Sequence, residues 1–270
     1  MRTIITMTGR LITAVSLIGV ILAAAAQSGR ARRWAQYERE MQNPADDPPD
    51  AWEPAGFAFA RLRYRSDRDG FYRSRWGTDA NKSERQFIQG LRRLTRIHAR
   101  SVEQIVDIES DAIFDWPWLY AVGIGDWTLS ESHVKRLKAY FDRGGFLMVD
   151  DFHNDREWSR FMSGIERILP DHSVVELENT DPIFHNVYNL AERFRVPGLN
   201  VVHGDQIERG GVFPHWRGVV DSRGRVVVAI CFNMDLGDAW EWADLPEYPE
   251  RYASLAYRIG VNYIVYAMTH

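Results

Sequence analysis

The string Asp150-Asp151-Phe152-His153 gathers two carboxylates and an imidazole within four residues. Such a set can ligate a divalent metal or exchange protons as general acid and base. The competing assignment is structural, with Asp150 and Asp151 capping the next helix and pairing with an arginine. Adjacent strand residues point to opposite faces, so both cannot serve one ligand. A second string runs from Asn233 to Asp244, where Asp235, Asp238, Glu241 and Asp244 recur every third residue. That spacing stacks them on one side of a helical turn. Beside Trp240 and Trp242 these acids suit a cation or a sugar stacked on indole, or equally a solvated helix start favoured by the dipole. The spacing fits no calcium-loop pattern. Histidines form a third set: His185 after Asp181-Pro182, His203, and His215 beside Arg217 in Pro214-His215-Trp216-Arg217. His185 and His215 lie in proline-containing loops, where functional residues concentrate.

The candidates for catalytic work are therefore Asp150, Asp151, His153, His185 and His215. The candidates for ligand contact are Asp126, Arg217, Asp235, Asp238, Trp240, Glu241 and Trp242. A divalent metal is the cofactor these acids would admit, and the spacing does not name it. No glycine-rich phosphate loop, dinucleotide fingerprint, nucleophile elbow or zinc-helix motif occurs.

Positioning these groups requires strands that end where they begin. Leu119 to Ile124 is an apolar run leading into Gly125-Asp126, and Phe146 to Val149 is another leading into Asp150-Asp151. Between them Ser130 caps a helix with Val134, Leu137, Tyr140 and Phe141 on one face, closed by Gly144-Gly145. Strand, amphipathic helix and strand at this spacing imply a parallel crossover. A first strand is expected over 57–64, followed by an arginine-rich loop with Arg65, Arg68, Arg73, Arg75 and Trp76. Further expected elements are a helix over 81–98, a strand over 102–108, a helix over 156–168 and a strand over 174–177. Residues 216–220 and 225–230 flank Asp221-Ser222-Arg223-Gly224 as an antiparallel hairpin, and a helix over 249–268 closes the chain. The fold class is α/β: an open, mostly parallel sheet with helices on both faces and an antiparallel extension. In such sheets the ligand crevice lies beyond the carboxyl ends of the strands, where Asp126, Asp150 and Asp151 fall.

The chain has 270 residues, with 45% hydrophobic and 13% aromatic residues, enough for a packed core. Arg2 and Arg10 precede Leu11 to Ala26, an apolar stretch too short for a span of about 20 residues. Ala23 to Ala26 supplies small residues for a cut, so residues 1–26 read as a secretory signal and the destination as the periplasm or exterior. An uncleaved inner-membrane anchor is the alternative, since Arg30, Arg32 and Arg33 follow. Residues 27–54 read as a polar helix and a proline- and aspartate-rich linker, and 55–270 as the α/β domain. A net charge of -4 gives no electrostatic reason to bind nucleic acid. The single cysteine, Cys231, lies in an apolar run and reads as a buried, inert thiol.

From Phe57 to His270 the chain resembles the bacterial domain of unknown function 4159. The resemblance rests on Leu62-Arg63-Tyr64, the segment Arg143 to Phe152, Asp181 to His185, Pro214 to Gly218, Phe232 to Asp244 and Asn262 to His270. It implies similarity to the class I glutamine amidotransferase-like (ThuA-like, flavodoxin-like) fold. The amidotransferase cysteine has no counterpart here, which removes glutaminase activity. Three readings stay open. One is an exported module binding a small polar or carbohydrate-like ligand, or a protein partner, at the carboxyl edge. The others are a hydrolase or metal-assisted enzyme at the same edge, and a structural envelope protein.

Overall fold

The alternation of β4 decides how the layers form. In the computed structural model, which describes residues 47–66, 75–204 and 207–270, β4 (Phe146–Phe152) is buried along its whole length. Phe146 and Met148 enter one hydrophobic core, while Leu147 and Val149 enter the other. A strand with apolar side chains on both faces must be covered on both, and it is. The signal expected over 1–26, the polar helix after it, and Arg68 and Arg73 lie outside the described residues. No described helix is long and apolar enough to cross a membrane.

Among the described residues seven strands form one sheet, in the order β2-β1-β3-β4-β7-β6-β5. They are β1 (Ala60–Arg63), β2 (Gln104–Asp107), β3 (Trp118–Val122), β4, β5 (Ser173–Glu176), β6 (His215–Val220) and β7 (Val226–Phe232). Strands β2, β1, β3, β4 and β7 run parallel, and only β6 opposes its neighbours. The hairpin β6–β7 is thus not an appendage. Its second strand is fully buried and pairs with β4, so the antiparallel extension consists of β6 and β5 alone.

Among the described residues six α-helices accompany the sheet: α1 (Lys82–Leu94), α2 (Glu131–Asp142), α3 (Asn154–Ile168), α4 (Leu199–His203), α5 (Leu236–Glu241) and α6 (Glu250–Thr269). Helices α1, α5 and α6 cover one face, and α2 and α3 the other. The expected Ser130 cap accepts from His133 N at 3.2 Å, while the His133 ring accepts from Ser130 N, closing a capping box. Residues 47–50, part of the stretch read as linker, are tied to α1. Arg85 donates to Asp47 and Arg92 to Asp50, both at 2.8 Å, and Ala51 is buried. Cys231 is fully buried, and burial pushes its thiol well above the ordinary range.

Candidate functional site

Beyond the carboxyl ends of β3, β4 and β7 the chain gathers carboxylates, and most of them are buried. Asp79, Asp126, Asp150, Asp151, Asp235 and Glu241 are each no more than 5% exposed. Placing them takes a chain of supports that begins inside the sheet. Arg61, on β1, is fully buried and paired with buried Glu84. It also donates to the carbonyls of Trp76 at 2.9 Å and Thr78 at 2.7 Å. A buried guanidinium therefore fixes the loop that carries Arg75 and Asp79.

Asp150 and Asp151 part company, as strand geometry demands. Asp150 Oδ2 accepts from the amides of Leu236 at 2.7 Å and Gly237 at 2.9 Å, and from the Tyr120 hydroxyl at 3.3 Å. It thereby caps α5, not the helix that follows it in sequence. Burial and the adjacent Asp151 charge raise its carboxyl well above the usual range, with the two amides opposing. Asp151 turns the other way through a left-handed φ of 51°. Arg75 donates to its carboxylate at 3.2 Å and to its carbonyl at 2.6 Å, and Arg209 donates to both as well. Burial alone would raise Asp151, but the two guanidiniums and His153 hold it far below the carboxylate range.

His153 is fully buried, with Nε2 at 3.3 Å from Asp151 Oδ1 and 3.8 Å from Glu208 Oε2. Burial lowers its pKa, with the Asp151 hydrogen bond opposing, so the ring is neutral at pH 7. Among the described residues its Nδ1 has no hydrogen-bond partner. Glu157, on the first turn of α3, accepts from His153 N at 2.7 Å and from Arg75 at 2.9 Å. Asp126 lies beside Arg160 at 3.3 Å and Arg75 at 3.8 Å. Gly123, at φ 63°, is what lets Arg75 pass: a Cβ there would stand 2.6 Å from Arg75 Cβ.

The other half of the cluster is almost wholly acidic. Asp235 caps α5 by accepting from Asp238 N at 2.9 Å. Asp238 accepts from Leu199 N at 2.6 Å and from Trp242 Nε1 at 3.2 Å. A Cβ on Gly198 would meet Glu208 Oε2, Asp235 Oδ2 and Asp238 Oδ2 at 2.8, 2.9 and 3.0 Å, so carboxylates from three places surround one bare Cα. Burial raises Asp79, Asp235 and Asp238, and mutual repulsion among these acids and with Asp151 raises them further. Burial and Asp151 push Glu208 up to about 7. Two sets hold donor atoms within 4.8 Å of one another: Asp151, His153 and Glu208, and Asp79, Asp238 and Glu241. Among the described residues every non-glycine with positive φ lies at this edge: Asp79, Asp151, Asn154, Arg209 and Asn233. Asp and Asn tolerate that conformation and arginine does so poorly.

Several expected members are not brought into the cluster. His185 is exposed and contacts the Asn179 carbonyl at 2.7 Å. His215 pairs with Glu176 at 3.2 Å, and Arg217 with Glu176 at 2.9 Å, while the Arg217 guanidinium stacks 4.4 Å from the Trp158 ring. Trp240 is fully buried against Phe87, Tyr120 and Phe59, so it offers no face to a ligand. Trp242 is half-buried, with Lys82 4.6 Å above its ring. Asp244 falls beyond α5 and pairs with Lys82, leaving the acid row at Asp235, Asp238 and Glu241. The side chain of His203 lies outside the described residues. The sequence reading missed Asp79, Glu208, Arg209 and Glu157, and took Arg75 only for part of a basic loop.

The family model described as Domain of unknown function (DUF4159) matches residues 58–268. No curated protein matches the chain.

Proposed function

The chain belongs to that family, and we propose that its carboxyl edge binds a small polar ligand rich in hydrogen-bond donors, ammonium or hydroxyl, an amino sugar being the type. The observation that carries this reading is the gathering at this edge of Asp79, Asp151, Glu208, Asp235 and Asp238, acids close enough to raise one another and mostly buried. A cationic ligand draws these raised acids into their ionised form, which only accepts hydrogen bonds, so donors and positive charge complement them. Burial of the cluster favours a small ligand over a protein partner, which would need an exposed face.

The sheet order through β2, β1, β3, β4 and β7 supports a flavodoxin-like, class I glutamine amidotransferase-like ancestry, in which ligands sit beyond the strand ends. We also place the domain outside the cytoplasm, on the leader-like residues 1–26. N-terminal sequencing of the periplasmic protein, finding Gln27 first, tests that placement.

Thermal stabilisation tests the binding reading, with glucosamine, diamines and neutral hexoses offered to the chelator-treated protein. A ligand at about 100 times its Kd adds about 2.7 kcal/mol, roughly 5–11 °C for a domain of this size. Asp151→Asn and Asp235→Asn should abolish the gain. If no member of the three classes raises the melting temperature, the reading fails. One geometric feature favours a second, hydrolytic reading. Asp151 orients a neutral His153 through Nε2, leaving the buried Nδ1 lone pair to act as general base toward a water. Turnover of a bound ligand that disappears in His153→Ala with binding retained would select it.

A further inference from the structure

We propose that Asp79, Asp238 and Glu241 hold a hard divalent cation at the end of the edge between α1 and α5. The proposal rests on reading this edge as a binding site and names a second, inorganic ligand for it. Their donor oxygens lie within 4.8 Å of one another. Two ligands of a single ion at 2.3–2.6 Å can stand no more than about 5 Å apart, so the set meets that limit. Asp79 reaches it from the loop before α1, and Asp238 and Glu241 come from one side of α5, three residues apart.

An independent observation singles out Asp79. It is only 3% exposed, yet among the described residues no N–H or O–H group donates to Oδ2, and what its carboxyl meets is the carboxyl of Asp238. That oxygen lies over the first turn of α5, where a Cβ on Gly237 would come within 2.4 Å of it. The amides of that turn offer it nothing, because those of Leu236 and Gly237 already donate to Asp150. A buried carboxylate oxygen without a donor, facing two further carboxylates, is satisfied by a cation.

Local charge favours this set over Asp151, His153 and Glu208, which passes the same distance test. Asp151 is already matched by Arg75 and Arg209, which would repel an ion. Around Asp79 the strongest charges are Asp238, Glu241 and Asp151, and the opposing Arg61 is itself paired with Glu84. Three carboxylates and no imidazole or thiolate select Mg2+, Ca2+ or Mn2+ over zinc or copper.

The test uses full-length protein stripped with chelator, titrated with Mn2+ and followed by electron paramagnetic resonance and calorimetry. One Mn2+ should bind, displaced by Mg2+ or Ca2+, and Asp79→Asn and Glu241→Gln should each weaken it at least about tenfold. In chelator, Asp79→Asn should melt no lower than wild type, because a neutral amide avoids the repulsion and burial cost that an acid meets there. Mn2+ binding equal to wild type in both variants overturns the proposal, as does no binding at millimolar Mn2+. Zinc taken up in preference, and lost in His153→Ala, also overturns it by moving the ion to the other set. Stabilisation by glucosamine or a diamine in chelator is read separately. Its persistence in Glu241→Gln leaves the donor-rich ligand standing even where the ion site fails.

Discussion

Glu208→Gln probes the negative charge packed beneath the sheet edge. Burial and the Asp151 charge lift Glu208 from 4.5 to about 7. An acid whose pKa rises on folding holds its proton more tightly in the native state than in the unfolded chain. Its contribution is therefore fully present below the unfolded value and is lost as pH climbs through the folded one. At roughly 1.4 kcal/mol per pH unit, the rise corresponds to about 3 kcal/mol. The neighbouring acids titrate as a group, so about 2–4 kcal/mol brackets the effect. Asp79, Asp235 and Asp238 are displaced in the same direction and add to the loss. Asp151 carries the opposite sign, being held low, and its contribution fades only in acid below the unfolded carboxylate value. Urea denaturation in chelator from pH 5 to 8 isolates the first group. Wild type should lose at least about 2–4 kcal/mol over that interval, and Glu208→Gln about 2 kcal/mol less. Parallel pH curves for the two proteins, or a wild type that gains stability toward pH 8, would refute the reasoning.

Three further substitutions separate the cluster from its surroundings. Arg75→Ala leaves Asp126, Asp151 and Glu157 without their shared cation. Breaking a buried pair this way costs about 3–5 kcal/mol, a fall of roughly 6–20 °C in melting temperature by calorimetry; a fall under about 3 °C would contradict the buried-charge assignment. His185→Ala and His215→Ala touch only peripheral partners and should each change stability by less than about 1 kcal/mol. Neither should alter Mn2+ binding or ligand stabilisation, and a loss of either in these variants would return those histidines to the site.

The sheet was legible because its signals are local and repeated. Apolar runs bounded by Ser130 and by Gly144-Gly145 mark β3, α2 and β4 with no help from distant contacts. The acids of β4 and α5 were legible too, since strand ends and a three-residue spacing fix their direction. Histidine partners failed for a reason the chain order hides. Because β6 runs antiparallel, His215 does begin at the carboxyl edge, but its ring lies 5.9 Å from that of Phe232 and its partner is Glu176 of β5. Trp240 failed by rotation: two residues from Asp238 on a six-residue helix, it turns into the aromatic core. Asp79, Glu208 and Arg209 belong to loops, where no period announces which way a side chain faces. What places Asp79 and Arg209 is a left-handed backbone, and no pattern in the residue types specifies it.

That backbone also explains how one strand end serves two purposes. With regular pleating, Asp150 and Asp151 would alternate and β4 would run straight on beside β7. The pairing instead shifts between Val149 and Phe152, a break that bends a strand and re-aims its side chains. Asp150 keeps the strand direction and anchors α5 by its first amides, so the helix bearing Asp238 and Glu241 is fixed to the sheet. Asp151 leaves that direction and enters the space between Arg75 and Arg209. The carboxylate that builds the site and the one that enters it are thus adjacent in sequence, and the left-handed backbone of Asp151 sends them apart. Asp150→Ala, which removes the acceptor of the Leu236 and Gly237 amides, should therefore loosen α5 and weaken Mn2+ binding together, whereas Asp151→Asn should leave α5 in place.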